Sequence, residues 1–88
     1  MKMFYKKAEI EYKNRVIKLN YKSSVIIAQV EKIIDDHIIT YNHMYQSGSM
    51  RTYNYGYSFP ISEIEKVYPK GTALLEAVIE FEKEKETT

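Results

Sequence analysis

The chain has 88 residues, a net charge of +1 at pH 7 and no cysteine. This length allows one domain, residues 1–88, with a modest core, and the lack of cysteine excludes a disulfide framework and a thiolate metal site. The weak net charge excludes the basic excess typical of duplex-DNA binders. No apolar run is long enough for a signal peptide or a membrane span, so we expect a cytoplasmic protein without a membrane partner.

The charges are distributed unevenly along the chain. Residues 1–24 contain seven Lys or Arg and two Glu, whereas residues 71–88 contain two Lys and five Glu. The basic set either forms a solvated face or offers a surface that follows phosphates. Its members are Lys2, Lys6, Lys7, Lys13, Arg15, Lys18 and Lys22.

The first predicted element is a β-hairpin near the N-terminus. A two-residue turn at Asn14 and Arg15 would place Tyr12 opposite Ile17. Asparagine tolerates the positive φ that the first position of such a turn requires. The same register pairs Ile10 with Leu19 and Ala8 with Tyr21.

The segment from residue 25 to residue 45 is compatible with two structures. Its apolar spacing matches an amphipathic helix. Its many Val and Ile residues favour strands, because β-branched side chains lose rotamer freedom in a helix. We therefore predict a β-meander, in which Asp35 and Asp36 form a two-residue loop. This loop pairs Ile34 with His37, Val30 with Tyr41 and Ala28 with His43.

The second connection of the meander is predicted to be odd-numbered and centred on Gly48. It pairs Tyr45 with Arg51, His43 with Tyr53 and Tyr41 with Tyr55. The resulting hairpin, residues 37–59, has arms of about 30 Å and a projecting tip. One predicted face carries Ile26, Ala28, Val30, Ile34, Ile39, Tyr41, Tyr45, Tyr53, Tyr55, Tyr57 and Phe59, interrupted by Lys32, His37, His43 and Arg51. The other carries Gln29, Glu31, Thr40, Asn42, Thr52, Asn54 and Ser58.

Two prolines, Pro60 and Pro69, bound a segment that we predict to be a short edge strand or a helical turn. Thr72 is the predicted N-cap of a C-terminal helix over about residues 72–86. Leu74, Leu75, Val78 and Phe81 would share one side of this helix. A strand with Leu75, Ala77, Ile79 and Phe81 inward is the alternative.

The stretches "VEKIIDDHIITY" and "FPISEIEKV" follow one another in an order that resembles the small SH3-like and Sm-like barrels. In those proteins a turn-rich meander is followed by a short apolar segment that closes the barrel. The resemblance covers roughly residues 8–69 and implies a mainly β (α+β) fold. We expect a small bent antiparallel sheet or SH3-like barrel over about residues 3–69, followed by the helix. Such barrels bind nucleic acids, bind peptides or assemble, so the resemblance does not select a function.

Five of the nine tyrosines lie between His37 and Phe59. These rings either pack in the core or stay exposed near the hairpin tip, where Tyr and Arg are typical of interaction hot spots. We predict a non-enzymatic module that binds a protein partner. The richness in Ile, Lys, Asn and Tyr suggests an AT-rich coding source such as a Gram-positive bacterium or its phage. We expect an accessory or inhibitor protein of a phage or mobile element. The candidate contact residues are Tyr41, His43, Tyr45, Arg51, Tyr53 and Tyr55.

Other functions follow from the same residues. A single-stranded nucleic acid or a nucleotide is the alternative ligand, because rings beside cations stack on bases. Assembly into a homo-oligomer is also expected, because a small core gains from a partner.

Catalysis and metal binding have weaker support in the sequence. A ribonuclease-like cluster of His43, Arg51, Tyr45 and Tyr53 would offer an acid or base beside a cation, but no carboxylate partner is fixed, so we expect no enzyme. His37 and His43 are separated by about 20 Å along a strand, too far for one metal ion. No cofactor motif occurs, so we expect neither a cofactor nor a metal.

Overall fold

The computed structural model describes residues 11–86. This part of the chain is mainly β, with a six-stranded antiparallel sheet and one C-terminal helix, and the sheet is bent rather than closed into a barrel. The predicted bent sheet with a C-terminal helix is therefore confirmed. The strands are β1 (Val16–Tyr21), β2 (Ser24–Ile34), β3 (His37–Gln46), β4 (Ser49–Thr52), β5 (Ser58–Pro60) and β6 (Ile64–Val67); a 3₁₀ turn spans Ile61–Glu63 and helix α1 spans Leu74–Glu86.

The strand order is β4-β3-β2-β1-β6, and β5 pairs with β3 on the same edge as β4. Three tight turns build this order. Lys22 and Ser23 join β1 to β2 with φ of 50° and 67°, and Ser47 and Gly48 join β3 to β4 with φ of 44° and 100°. Positive φ at both central residues is the backbone geometry that matches the twist of paired strands. The third turn, at Asp35, joins β2 to β3 and confirms the predicted pairing of Ile34 with His37.

The predicted N-terminal hairpin is wrong where the structure describes it. Tyr12 is helical and does not pair with Ile17, which lies opposite Ala28 of β2 and Val67 of β6. Because β2 and β6 occupy both edges of β1, no edge is left for the preceding segment. Asn14 does adopt the expected positive φ of 63°, but it follows the helical residues as a terminator rather than joining two strands. The predicted positions of Ala8 and Ile10 lie outside the described residues.

The predicted register of β2 and β3 fails beyond the pair Lys32 and Ile39. Val30 lies opposite Thr40 rather than Tyr41, and Ala28 lies opposite Met44 rather than His43. Two irregularities cause this change. The first is one extra residue of β2, Glu31, which lies between the pair Lys32 with Ile39 and the pair Val30 with Thr40.

The second irregularity is a bulge on β3. The three residues 41–43 face the single residue Gln29 between the pairs Val30 with Thr40 and Ala28 with Met44. This bulge adds two residues to β3, so Ile38, Thr40 and Met44 all remain on one face. The single extra residue Glu31 of β2 is what exchanges the predicted faces, because a shift of one residue reverses the alternation. Met44 therefore faces the side on which Tyr45 was predicted, and Tyr45 faces the opposite side.

The predicted connection at Gly48 is also wrong, because the turn has an even number of residues. Tyr45 lies opposite Met50, Met44 opposite Arg51 and His43 opposite Thr52. The long projecting hairpin does not form. Strand β4 ends at Thr52, and the chain then returns to β3 through β5, where Phe59 lies opposite Ile38.

Both faces of the sheet are buried. One face, called the groove face, carries a core of Ile17, Leu19, Ile26, Ala28, Val30, Ile33, Ile38, Met44 and Phe59. The other, called the helix face, packs against α1 and contains Val16, Ile27, Tyr45, Tyr68, Ala77 and Val78. Neighbouring residues such as Ile26 and Ile27 belong to different cores because successive side chains of a strand point to opposite faces.

The C-terminal segment forms the predicted helix and not the alternative strand. The helix begins at Leu74, two residues later than predicted. The N–H of Ala73 donates to Oε1 of Glu76 at 3.1 Å, the arrangement of a capping box with Ala73 rather than Thr72 in the cap position. Val78 is buried, whereas Leu75 is 60% exposed and does not share the inner side as predicted. Within residues 11–86 no helix has the length and apolarity needed to cross a membrane.

Candidate functional site

A groove with a volume of about 230 Å³ opens on the groove face of the sheet. Its floor is apolar, and tyrosine rings form its walls. It lies at the end of the sheet where the β1–β2 turn is located. The lining residues are Tyr21, Lys22, Ser24, Ile26, Met44, Gln46, Tyr53, Tyr57 and Phe59, and we call this site the aromatic groove.

The rings of the aromatic groove contact one another in fixed orientations. Tyr21 packs edge-to-face on Phe59 with ring centres 5.3 Å apart, and Tyr53 packs edge-to-face on Tyr57 at 4.8 Å. Tyr57 is also stacked near Phe59 at 6.3 Å. The hydroxyl of Tyr53 donates to Oε1 of Gln46, which also lines the groove. Such aromatic pairs contribute about 0.5 to 1.5 kcal/mol each beyond area burial, so the walls are ordered before any ligand arrives.

The wall on one side belongs to residues 53–57, which we call the tyrosine arch. The arch runs along the edge of β3 between β4 and β5 and is fixed at both ends. At its start, Nδ2 of the Asn42 side chain donates to the Tyr53 carbonyl at 2.8 Å, and the Tyr53 N–H donates to the Asn42 backbone carbonyl at 2.9 Å. At its end, the Thr40 N–H donates to the Tyr57 carbonyl at 2.9 Å, and the Tyr57 N–H donates to Oγ1 of Thr40 at 3.1 Å.

Thr40 was predicted to face solvent, but it is 1% exposed. The extra residue Glu31 of β2 explains this difference, because it shifts the register so that Thr40 pairs with Val30 and shares its buried side. Its hydroxyl is satisfied by the arch, since burying a hydroxyl without a partner is costly. The buried threonine thus connects the core to the tyrosine arch.

Two cations belong to the groove face. Lys22 lines the groove, and its Nζ lies 5.3 Å from the centre of the Tyr21 ring. Arg51 lies opposite Met44 in the β3–β4 pair, and directly opposed residues of an antiparallel pair share a face. Among the described residues that line the groove, none is acidic. The site therefore has a positive local potential although the chain is nearly neutral.

The structure separates the predicted contact residues into three places. Tyr53 lines the groove and Arg51 lies on the groove face, while Tyr55 is 82% exposed on the tyrosine arch. Tyr41 lies on the bulge, where its hydroxyl donates to Oδ1 of Asn14 at 3.3 Å. The remaining two, His43 and Tyr45, point to the helix face.

Tyr45 is part of the core rather than of a contact surface. It is 2% exposed, and its hydroxyl donates to Oε1 of Glu82 in α1 at 2.8 Å. Burial raises the pKa of Tyr45 above its usual value, and Glu82 raises it further by accepting the hydrogen bond and by its negative charge. Its ring also packs edge-to-face on Phe81 at 5.8 Å.

The predicted ribonuclease-like cluster is not assembled. His43 lies opposite Thr52 and bonds to its Oγ1 at 2.8 Å, on the face opposite to Arg51. Tyr45 is buried beneath α1, away from Tyr53. Within the part of the chain that the structure describes, no group of three His, Cys, Asp or Glu side chains is placed to hold a metal ion.

The basic residues of the N-terminal third that the structure describes do not form one surface. Arg15 donates from Nε to the Tyr68 carbonyl at 2.9 Å, and Lys18 places its Nζ 5.2 Å from the centre of the Phe81 ring. Both are engaged with the helix side of the molecule. Lys22 alone of the described members lines the groove; Lys2, Lys6 and Lys7 lie outside the described residues.

Sequence reasoning missed several groove residues, among them Lys22, Met44 and Gln46. The signal that could have located Met44 and Gln46 is the dipeptide at Ser47 and Gly48, since a two-residue turn there gives the observed register. Tyr57 and Phe59 were placed on one face with Ile26 and Tyr53, and they do meet in the groove.

Comparison of the chain with protein-family models, curated proteins and solved structures yields no match. Inferences about function therefore depend on the geometry of the site itself.

Proposed function

We propose that this chain is a small non-enzymatic binding module that holds a segment of a protein partner in the aromatic groove. The observation that carries the proposal is the set of packed rings that line the groove and stay open to solvent, of which Tyr57 is 45% exposed. Tyr55, on the same arch, is 82% exposed. Tyrosine and arginine are the residue types enriched at binding hot spots. An inhibitor or accessory protein of a phage or mobile element would fit such a module.

Pre-ordering of the site favours this function. Both ends of the tyrosine arch are hydrogen-bonded to β3, and its Tyr57 ring is stacked near Phe59. A partner would therefore not have to bear the entropy cost of ordering these side chains, which is about 0.5 to 1.5 kcal/mol for each immobilised side chain. The resemblance to SH3-like and Sm-like barrels is neutral on this point, because such folds serve several kinds of ligand.

A library of short random peptides, displayed on phage and selected on the full chain, tests the proposal. Tyr57→Ala should abolish enrichment of the selected peptides. Tyr41→Ala is the matched control, because Tyr41 is 40% exposed but lies outside the groove. Retained enrichment by a folded Tyr57→Ala variant, or its loss in Tyr41→Ala, would contradict binding in the groove.

A single-stranded nucleic acid or a nucleotide is the second candidate ligand. It is favoured by the Lys22 ammonium beside the Tyr21 ring, since ring and cation together suit a stacked base and its phosphate. It is disfavoured by the engagement of Arg15 and Lys18 elsewhere, which leaves no described row of cations to follow a backbone. Fluorescence titration with labelled oligonucleotides at low and high salt tests this candidate; binding that weakens with salt and is lost in Lys22→Gln would support it.

A further inference from the structure

We infer that the aromatic groove selects peptide segments in which a large apolar side chain lies next to a carboxylate. This inference rests on the proposed function and specifies the chemistry of the partner. It combines two properties of the same site, an apolar interior and cations at its margin.

The interior of the groove suits one side chain. Its floor consists of Ile26, Met44 and Phe59, and its volume is about 230 Å³. Pockets for drug-sized molecules are larger, about 300 to 1,000 Å³. The rings of the walls pack edge-to-face on one another, so they enclose a concave space rather than presenting a row of parallel platforms for successive bases. The space therefore fits a single large aliphatic or aromatic side chain of a peptide.

The margin of the groove suits an anion. The positive φ of 50° at Lys22 belongs to the tight β1–β2 turn, which carries this residue at the groove's end. Arg51 lies on the same face, opposite Met44. The acidic residues of the β2–β3 turn, Asp35 and Asp36, lie at the other end of β2, at least nine residues from Ile26, or about 30 Å along the strand. They are too far away to neutralise the two cations, because the Debye length at physiological salt is about 8 Å.

The acidic helix does not neutralise the groove either. Helix α1 packs on the helix face, where Lys66 pairs with Glu84 at 3.6 Å and Lys18 lies over Phe81. The Glu84 carboxylate thus lies on the face away from the groove. Charge complementarity at the groove favours a ligand carboxylate close to the inserted side chain.

The selected peptides themselves test this inference. We expect sequences that contain a large apolar residue beside Asp or Glu, with Lys and Arg depleted. In a synthetic copy of a selected peptide, exchange of that Asp or Glu for its amide should weaken binding about two- to fivefold, the effect of one exposed ion pair. Lys22→Gln should reduce this difference to none. Lys70→Gln removes the same charge from an exposed residue outside the groove and should leave the difference unchanged.

The possible failures are distinct. Enrichment that depends on Tyr57 but shows no acidic residue, or equal binding of the acid and amide peptides, would overturn the inference and leave peptide binding intact. Failure to enrich any peptide that depends on Tyr57 would overturn the proposed function and the inference with it. Folding of each variant is checked by far-ultraviolet circular dichroism.

Discussion

Gly56 passes so close to the backbone of Thr40 that the β-carbon of any other residue at this position would overlap the Thr40 carbonyl oxygen. The same threonine exchanges hydrogen bonds with Tyr57. Close approach and hydrogen bonding therefore hold the tyrosine arch against β3 at one place, next to the rings that line the aromatic groove.

Gly56→Ala is expected to displace the tyrosine arch. The overlap is with backbone, which cannot rotate away, so we expect a loss of about 1 to 3 kcal/mol in the free energy of unfolding together with weaker peptide binding. Urea unfolding and titration with a selected peptide measure the two effects. Asn54→Ala, at an exposed arch residue, is the control. Unchanged stability and binding in Gly56→Ala would show that the arch is not fixed at Thr40.

Tyr45→Phe is expected to lower the free energy of unfolding by about 1 to 2 kcal/mol, because a buried hydroxyl loses its hydrogen bond to the Glu82 carboxylate. Tyr55→Phe removes a hydroxyl from a ring that is 82% exposed and should change stability by less than about 0.5 kcal/mol. Urea unfolding of the two variants makes the comparison. Equal effects would contradict the placement of Tyr45 beneath α1.

Stability should fall at alkaline pH. Burial raises the pKa of Tyr45 and of Tyr68 above the ordinary value of 10.0, with nearby glutamates adding to the effect. Between pH 10.0 and the higher pKa of the folded state, the unfolded chain has released protons that the folded chain retains. The contribution of these phenols is therefore complete below pH 10.0 and is lost as the pH rises through this window.

The measurement is the free energy of unfolding by urea over a series of alkaline pH values. A variant with Phe at both positions should lose stability less steeply than the original chain, because neither phenol is left to ionise on unfolding. Identical slopes for the two proteins would contradict the raised pKa values.

The packing of α1 gives a further expectation. Val78→Ala should cost about 1 to 3 kcal/mol, because the side chain is 7% exposed and its removal leaves a cavity against the sheet. Leu75→Ala should change stability by less than about 0.5 kcal/mol, since Leu75 is 60% exposed and both residues are good helix formers. Thermal unfolding of the two variants compares them; a larger cost at Leu75 would contradict the observed orientation.

Local chemistry made part of the fold predictable. The β-branched content of β2 and β3 favours strands over a helix, and the loop at Asp35 and Asp36 sets the first register correctly. The helix formers after Thr72 likewise predict α1. These features depend on residues that are close in sequence, which is why patterns in the sequence reveal them.

The rest depended on contacts between distant residues. No local signal at residues 41–43 indicates that they face only Gln29. Strand β1 has no free edge for an N-terminal strand, because β6, which is distant in sequence, pairs with that edge. Because the register was wrong, the candidate site included Tyr45, which lies beneath α1, and omitted Met44, which lines the groove.

The bulge at residues 41–43 also limits which insertions and deletions the chain can accept. Removing one residue there would shift the alternation downstream by a single step, so that Met44 would move under α1 and the Tyr45 phenol would enter the aromatic groove. Both cores would be mispacked by one event, whereas a change of length between β6 and α1 leaves the register of every strand unchanged. We expect descendants of this sequence to vary in length in that connection long before they vary in the middle of β3.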